Sequence, residues 1–160
     1  MVCVKTAGAR APSAEAASAT QEAPAPYVLD EQVGYLLRLA NQRHAAIFQA
    51  GAPPDLTPTQ FSALIRLGEH GQCSQNQLGR LASMDIATIK GVVDRLRRKG
   101  LVAVAPSDED RRRSMIALTD AGQALVDGLA AEGRAITRET LAPLSAAEQR
   151  TFLALLRKLT

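Results

Sequence analysis

Eight basic side chains fall in the window 90–113 against four acidic ones, while residues 1–89 carry six basic and seven acidic, and residues 114–160 five of each. The excess positive charge is therefore confined to Lys90, Arg95, Arg97, Arg98, Lys99, Arg111, Arg112 and Arg113. A basic patch on a near-neutral body is the electrostatic footprint expected for a polyanion partner. The plain alternative is a solvated basic face. Arginine offers a planar fork that fits phosphate bidentately and suits a narrow minor groove. Three arginines stand in a row after Asp108, Glu109 and Asp110, whose carboxylates can hold a guanidinium by ion pairing.

Other chemistries find no constellation. There is no glycine-rich phosphate loop and no nucleophile with a base at usable spacing. The carboxylates at 108–110 abut arginines that neutralise them. These features speak against an enzyme. The two histidines, His44 and His70, are too far apart for a metal cluster, so neither metal nor cofactor is expected. His70 reads as a cation near helix-end carbonyls. Cys3 and Cys73 form no CxxC pattern and no disulfide framework, which points to a reducing, cytoplasmic compartment. Cys73 reads as a small buried hydrophobe. No apolar run approaches the roughly 20 residues of a membrane helix, and the N-terminus lacks the apolar core of a secretory signal, so no membrane role is expected.

The elements that must position the basic window come next. At 46% hydrophobic but 3% aromatic, with no Trp, the chain has a core of Leu, Ile, Val and Ala, which favours packed helices. Residues 1–28 are rich in Ala and Pro without periodicity and read as a disordered tail before a single domain at 29–160. A first helix is expected over about 30–49, with Leu29, Val33, Leu36, Leu37, Ala40, Ile47 and Phe48 on one stripe. Thr57-Pro58-Thr59-Gln60 is a capping box with Pro at the first helical position, starting a second helix that stops at Gly71. Ser74 and Gln77 form another box for a short third helix, and Asp85 caps a fourth that buries Ile86, Ile89, Val92, Val93 and Leu96 before Gly100.

The period then changes. Residues 101–104 and 115–118 read as two strands of a hairpin with a charged tip between them. Thr119 caps a fifth helix over 119–140, and a Ser145–Glu148 box opens a sixth over 145–158. The fold class is mainly α with a small β-hairpin wing: a winged helix-turn-helix at about 56–118, flanked by N- and C-terminal helices. A helix fits the major groove of B-DNA, and a hairpin can reach flanking phosphates or the minor groove. On a 100° wheel, Ala87, Gly91 and Arg98 oppose the apolar face of the fourth helix, flanked by Thr88, Lys90 and Arg95. Gly91 costs about 1 kcal/mol relative to Ala in a helix. Close approach to a groove would explain it; drift on an exposed surface is the alternative.

The stretch from Leu56 to Gly122 resembles the MarR family of transcriptional regulators. The match is carried by LTPTQFSALIRL, QLGRLASMDIATIKGVVDRLRRKGLV and DEDRRRSMIALTDAG. The resemblance implies a homodimer built through the first, fifth and sixth helices, binding double-stranded DNA at a pseudo-palindromic operator. It implies a fourth helix in the major groove, making Ala87, Thr88, Lys90, Gly91 and Arg95 the contact candidates. Asp110, Arg111 and Arg112 match the family's wing motif, with Arg111 placed for minor-groove insertion, Arg113 beside it and Asp110 as support. Glu109 departs from the pattern, since many relatives carry Arg there, and a carboxylate repels phosphate.

Many members of the family repress transcription until a small aromatic acid binds between the dimer helices and the DNA-binding lobe. The runs YVLDEQVGYLLR, QRHAAIF and CSQNQLGRLASMDIATIKGVVDRLRRKGLV look closest to regulators of aromatic-acid and nicotinate-type catabolism. An aromatic carboxylate needs a cation or donors in an apolar pocket. His44, on the first helix's apolar stripe, and Arg43 at its edge are the candidates. The plainer alternatives are a satisfied interface histidine and a surface ion-pair partner. A winged helix that docks protein instead of DNA is the competing function. A steep fall of affinity with salt separates the two.

Overall fold

The computed structural model describes residues 26–106 and 114–160. Most of the expected tail and the whole run Ser107–Arg113 lie outside the described residues. A short 3-10 turn at Leu29–Glu31 precedes α1 (Val33–Gly51). The first helix therefore begins three residues later than expected. Gln32 is extended at φ −83°, ψ 129°, and its side chain donates to Val28 O instead of letting the helix run back to Asp30.

The capping signals act where their chemistry predicts. Thr57 accepts from the Gln60 amide and Gln60 reaches back to the Thr57 amide, opening α2 (Pro58–His70). Gly71, at φ 72°, ends it in the left-handed region that a side chain resists. Ser74 caps α3 (Gln75–Leu81) by accepting from the Gln77 amide, without the reciprocal bond of a full box. Ser83, at φ 53°, makes the turn into α4 (Ile86–Arg98). Its C-terminus is closed by two bonds, Gly100 N–H to Arg97 O at 2.9 Å and Leu101 N–H to Leu96 O at 3.0 Å, around a left-handed Gly100.

The wing is a three-stranded antiparallel sheet of order β1–β3–β2. β2 (Val102–Pro106) pairs with β3 (Ser114–Leu118) from Val102 with Leu118 to Pro106 with Ser114, so the paired strands run further than expected. β1 (Cys73–Ser74) adds two residues to the far edge of β3, with Cys73 opposite Ile116. A two-residue strand has no periodicity, and the sequence does not announce it. α5 (Asp120–Leu141) and α6 (Ala146–Leu156) follow, each with its expected cap, Thr119 and Ser145. No helix among the described residues is long and apolar enough to cross a membrane.

One core unites these pieces. Leu64 and Leu67 of α2, Leu78 of α3, Ile89, Val92 and Leu96 of α4, and Val102 and Ile116 of the sheet are all at most 2% exposed, and Leu129 of α5 closes the cluster. Cys73 joins it at 1% exposure, and burial pushes its thiol up, which makes it inert. The expected burial of Ile86 is corrected: it is 68% exposed. It stands at the first helical position, before the core that Ile89 enters one turn later and Val93 two turns later.

The end of α4 is fastened to the start of α5 by backbone. Thr119 N–H donates to Leu101 O at 3.1 Å, and the Thr119 hydroxyl donates to Gly100 O at 2.6 Å while accepting from Gly122 N–H. Gly122 lies so close that a Cβ would come within 2.0 Å of Leu101 O. Backbone cannot swing away as a side chain can. Gly122→Ala is therefore expected to destabilise the protein by about 3 kcal/mol, the upper range for overpacking, measured as a lowered urea midpoint.

Candidate nucleic-acid interface

The first turn of α4 is set by Asp85. Its Oδ1 accepts from the Thr88 amide at 2.7 Å and its Oδ2 from the Thr88 hydroxyl at 2.8 Å. These bonds, the amide first, hold the Asp85 carboxyl below its ordinary range. The Thr88 hydroxyl proton is thereby directed at Asp85 and away from any ligand. Past the cap, Ala87, Lys90 and Arg95 are exposed and Gly91 is half-buried. A Cβ on Gly91 would lie 3.6 Å from the Arg95 guanidinium, an ordinary contact. Nothing within the described residues requires glycine there.

The structure sorts the cations of the basic window. Arg97 lies 3.7 Å from Asp94, and Arg98 Nε donates to Asp94 O at 3.3 Å. Lys99 Nζ donates to Asp55 O and, at 3.3 Å, to Gln60 Oε1, binding the end of α4 to the start of α2. Gln60 is 2% exposed, so this lysine serves the fold. Lys90 and Arg95 have no acidic partner among the described residues and remain available on the outer face. Asp110, Arg111, Arg112 and Arg113 lie outside the described residues, beyond the Pro106–Ser114 pair.

The two effector candidates come together at the end of α5 without sharing a role. His44 is half-buried, its Nδ1 3.0 Å from Thr140 Oγ1 and its ring 6.5 Å from Phe48. It lines a mostly apolar cleft of about 330 Å³ with Leu37, Asn41, Thr140, Phe152 and Leu156, between α1, α5 and α6. Arg43 instead donates to the carbonyls of Glu139 and Thr140, capping the C-terminus of α5. Sequence reasoning missed a second cleft of about 650 Å³, where Phe61 and Ile65 of α2 face Leu129, Gly133, Arg134 and Arg138 of α5. Two arginines on one long helix carry no signal of their own; the packing of α2 on α5 gives them a cleft.

The family model named MarR family matches residues 56–114. The transcriptional repressor NicR of Pseudomonas putida is 44% identical over 135 residues, which is 84% of this chain and 85% of that protein. The crystal structure of a probable transcriptional regulator from Pseudomonas aeruginosa is 52% identical with a TM-score of 0.79, covering 83% of this chain and all of that one. Bordetella bronchiseptica BpsR, whose DNA binding is described as regulated by 6-hydroxynicotinic acid, is 41% identical with a TM-score of 0.78, over 84% of this chain and 96% of that one.

The Asp85 cap yields a pH dependence. Its folded pKa is depressed, so its contribution is complete above the unfolded value near 3.8 and is lost as pH falls through the lower folded value. Thr88 amide protection from hydrogen exchange should drop in that acid range in the native protein. In Asp85→Ala it should already be low at neutral pH, with core amides such as that of Leu96 unchanged.

Proposed function

Because the chain belongs to the MarR family, we propose that it is a homodimeric transcriptional repressor, held on a pseudo-palindromic operator by two copies of α4 and released by a small aromatic acid. The observation that carries this reading is the outer face of α4, where Ala87 and Gly91 leave room for a groove and Lys90 and Arg95 stand without acidic partners among the described residues. Small residues let the helix backbone sit deep, and the two cations meet phosphates or guanine edges on either side. Arg111, Arg112 and Arg113 extend the same basic window toward the flanking minor groove, with Asp110 in support. A DNA target places the protein in the cytoplasm.

Dimerisation is supported by what α1 and α6 leave uncovered. Val33, Leu36 and Leu37 of α1 and Phe152 and Leu155 of α6 are 41–67% exposed. An apolar face of this kind is satisfied by a second copy of itself. The half-sites then lie about one helical turn, roughly 34 Å, apart. An acid that binds between the dimer helices and the DNA-binding lobe shifts the population toward dimers whose α4 spacing no longer fits.

For the effector, His44 meets the acid group in its apolar cleft, and Arg43 fixes the end of α5 that carries Thr140. The 6-hydroxynicotinic acid named for BpsR makes a nicotinate-type acid the first to try. Fluorescence anisotropy with the protein's own upstream DNA, across a salt series and with nicotinate- and benzoate-type acids, tests the whole reading. Tight binding that falls steeply with salt and is released by one acid is expected. Equal, weak binding to a scrambled duplex would move the protein-docking function to the front.

Lys90→Ala and Arg95→Ala should each weaken binding, and a phosphate contact among them should reduce the salt slope by about one. His44→Ala should leave DNA affinity intact and weaken release. Unchanged release in that variant, with loss in Arg134→Ala, would transfer the effector to the α2–α5 cleft.

A further inference from the structure

Twelve large apolar side chains are exposed among the described residues, and ten of them lie at 27–39 or 152–159, in and beside α1 and α6, the helices whose uncovered residues support the proposed dimer. The remaining two are Val104, at 37%, and Ile86, at 68%. A single exposed aliphatic residue is ordinary on a protein surface. Ile86 differs by its place. It is the first residue of α4, directly after the Asp85 cap and next to Ala87, with Lys90 one turn further along the same edge.

The groove-facing end of α4 is short of hydrogen-bonding groups. Ala87 and Gly91 have none, and the Thr88 hydroxyl proton is bound to Asp85. The N-terminal residues of such a helix are the ones that reach base edges. In the major groove the apolar group on offer is the C5-methyl of thymine, which no other base presents. We infer that Ile86 is a specificity-determining residue that packs on a thymine methyl in each half-site of the operator. It supplies by apolar contact the discrimination that Ala87 and Gly91 cannot supply by hydrogen bonds, while Lys90 and Arg95 hold the helix against phosphate.

This inference rests on the repressor reading, and the test separates the two. The duplex is the segment of the protein's own upstream DNA that it protects in a footprint. Each thymine is replaced in turn by deoxyuridine, which removes the methyl and keeps the pairing edge. For the native protein, one thymine per half-site should prove sensitive, with binding about four-fold weaker for one lost methyl and about sixteen-fold weaker when both symmetry-related thymines are replaced.

Ile86→Ala should bind the all-thymine duplex several-fold more weakly and be indifferent to deoxyuridine at those positions. Its salt slope should be unchanged, because no phosphate contact is lost. Ile86→Ser leaves no methyl group at the helix start, so it should behave as Ile86→Ala does. Both variants should melt as the native protein does, since the side chain is outside the core. A variant that retains the native deoxyuridine profile would overturn the contact, as would a native protein indifferent to every thymine in the half-site. Absence of specific binding by the native protein to its upstream DNA would overturn the repressor reading, and this contact with it.

Discussion

The core holds α4 against α2, α3 and the sheet, and one close backbone contact joins the segment after it to α5. Leu101 O accepts the Thr119 amide and lies where a Cβ on Gly122 would be, so the segment that follows α4 meets the first turn of α5 with no room for a side chain at Gly122. The Schellman-type closure around Gly100 turns the chain into that contact, and the Thr119 hydroxyl ties Gly100 O to Gly122 N–H. α5 is a rigid rod of 22 residues that carries the rest of the C-terminal region. A joint made of backbone at its end transmits orientation with little slack.

The same region explains how charge is divided between folding and recognition. Five cations occupy α4 and its C-terminal cap, yet their positions give them different work. Lys99 sits where the helix end approaches the Thr57 cap, and it satisfies Asp55 O and the buried Gln60. Arg97 and Arg98 both engage Asp94. The exposed Arg97–Asp94 pair contributes little stability and reduces the free charge on that flank, while Arg98 reaches only the Asp94 backbone carbonyl and keeps its charge. Lys90 and Arg95 keep their charge for solvent or a ligand. The number of basic residues overstates the patch, because Arg97 and Lys99 are engaged within the fold.

The caps and stops were legible in the sequence because each is a local event. Thr57 with Gln60, Ser145 with Glu148, Asp85 with Thr88, and Gly71 and Gly100 at positive φ need only a few neighbouring residues to be recognised. The inward face of α4 was legible for the same reason: Ile89, Val92, Val93 and Leu96 recur at helical spacing. Ile86 shares that spacing and is exposed all the same, because periodicity gives the direction of a side chain and cannot say how far the core extends along the helix. The two-residue β1 and the break at Gln32 were likewise hidden, since both depend on hydrogen bonds to residues outside any pattern.

The candidate sites divide along the same line. The residue types on the outer face of α4 and the family match were set by sequence, since helical spacing alone puts Ala87, Lys90, Gly91 and Arg95 on the side away from the apolar face. What Arg43 and His44 do was decided by tertiary structure. Adjacent on α1, they diverge because the end of α5 comes to lie beside them, giving Arg43 two unsatisfied carbonyls and His44 a hydroxyl and a cleft. Arg134 and Arg138 became cleft residues only through the packing of α2 on α5. Sequence determines what a side chain can bind; contacts between residues about a hundred positions apart determine what it finds, and those are fixed only when the helices pack.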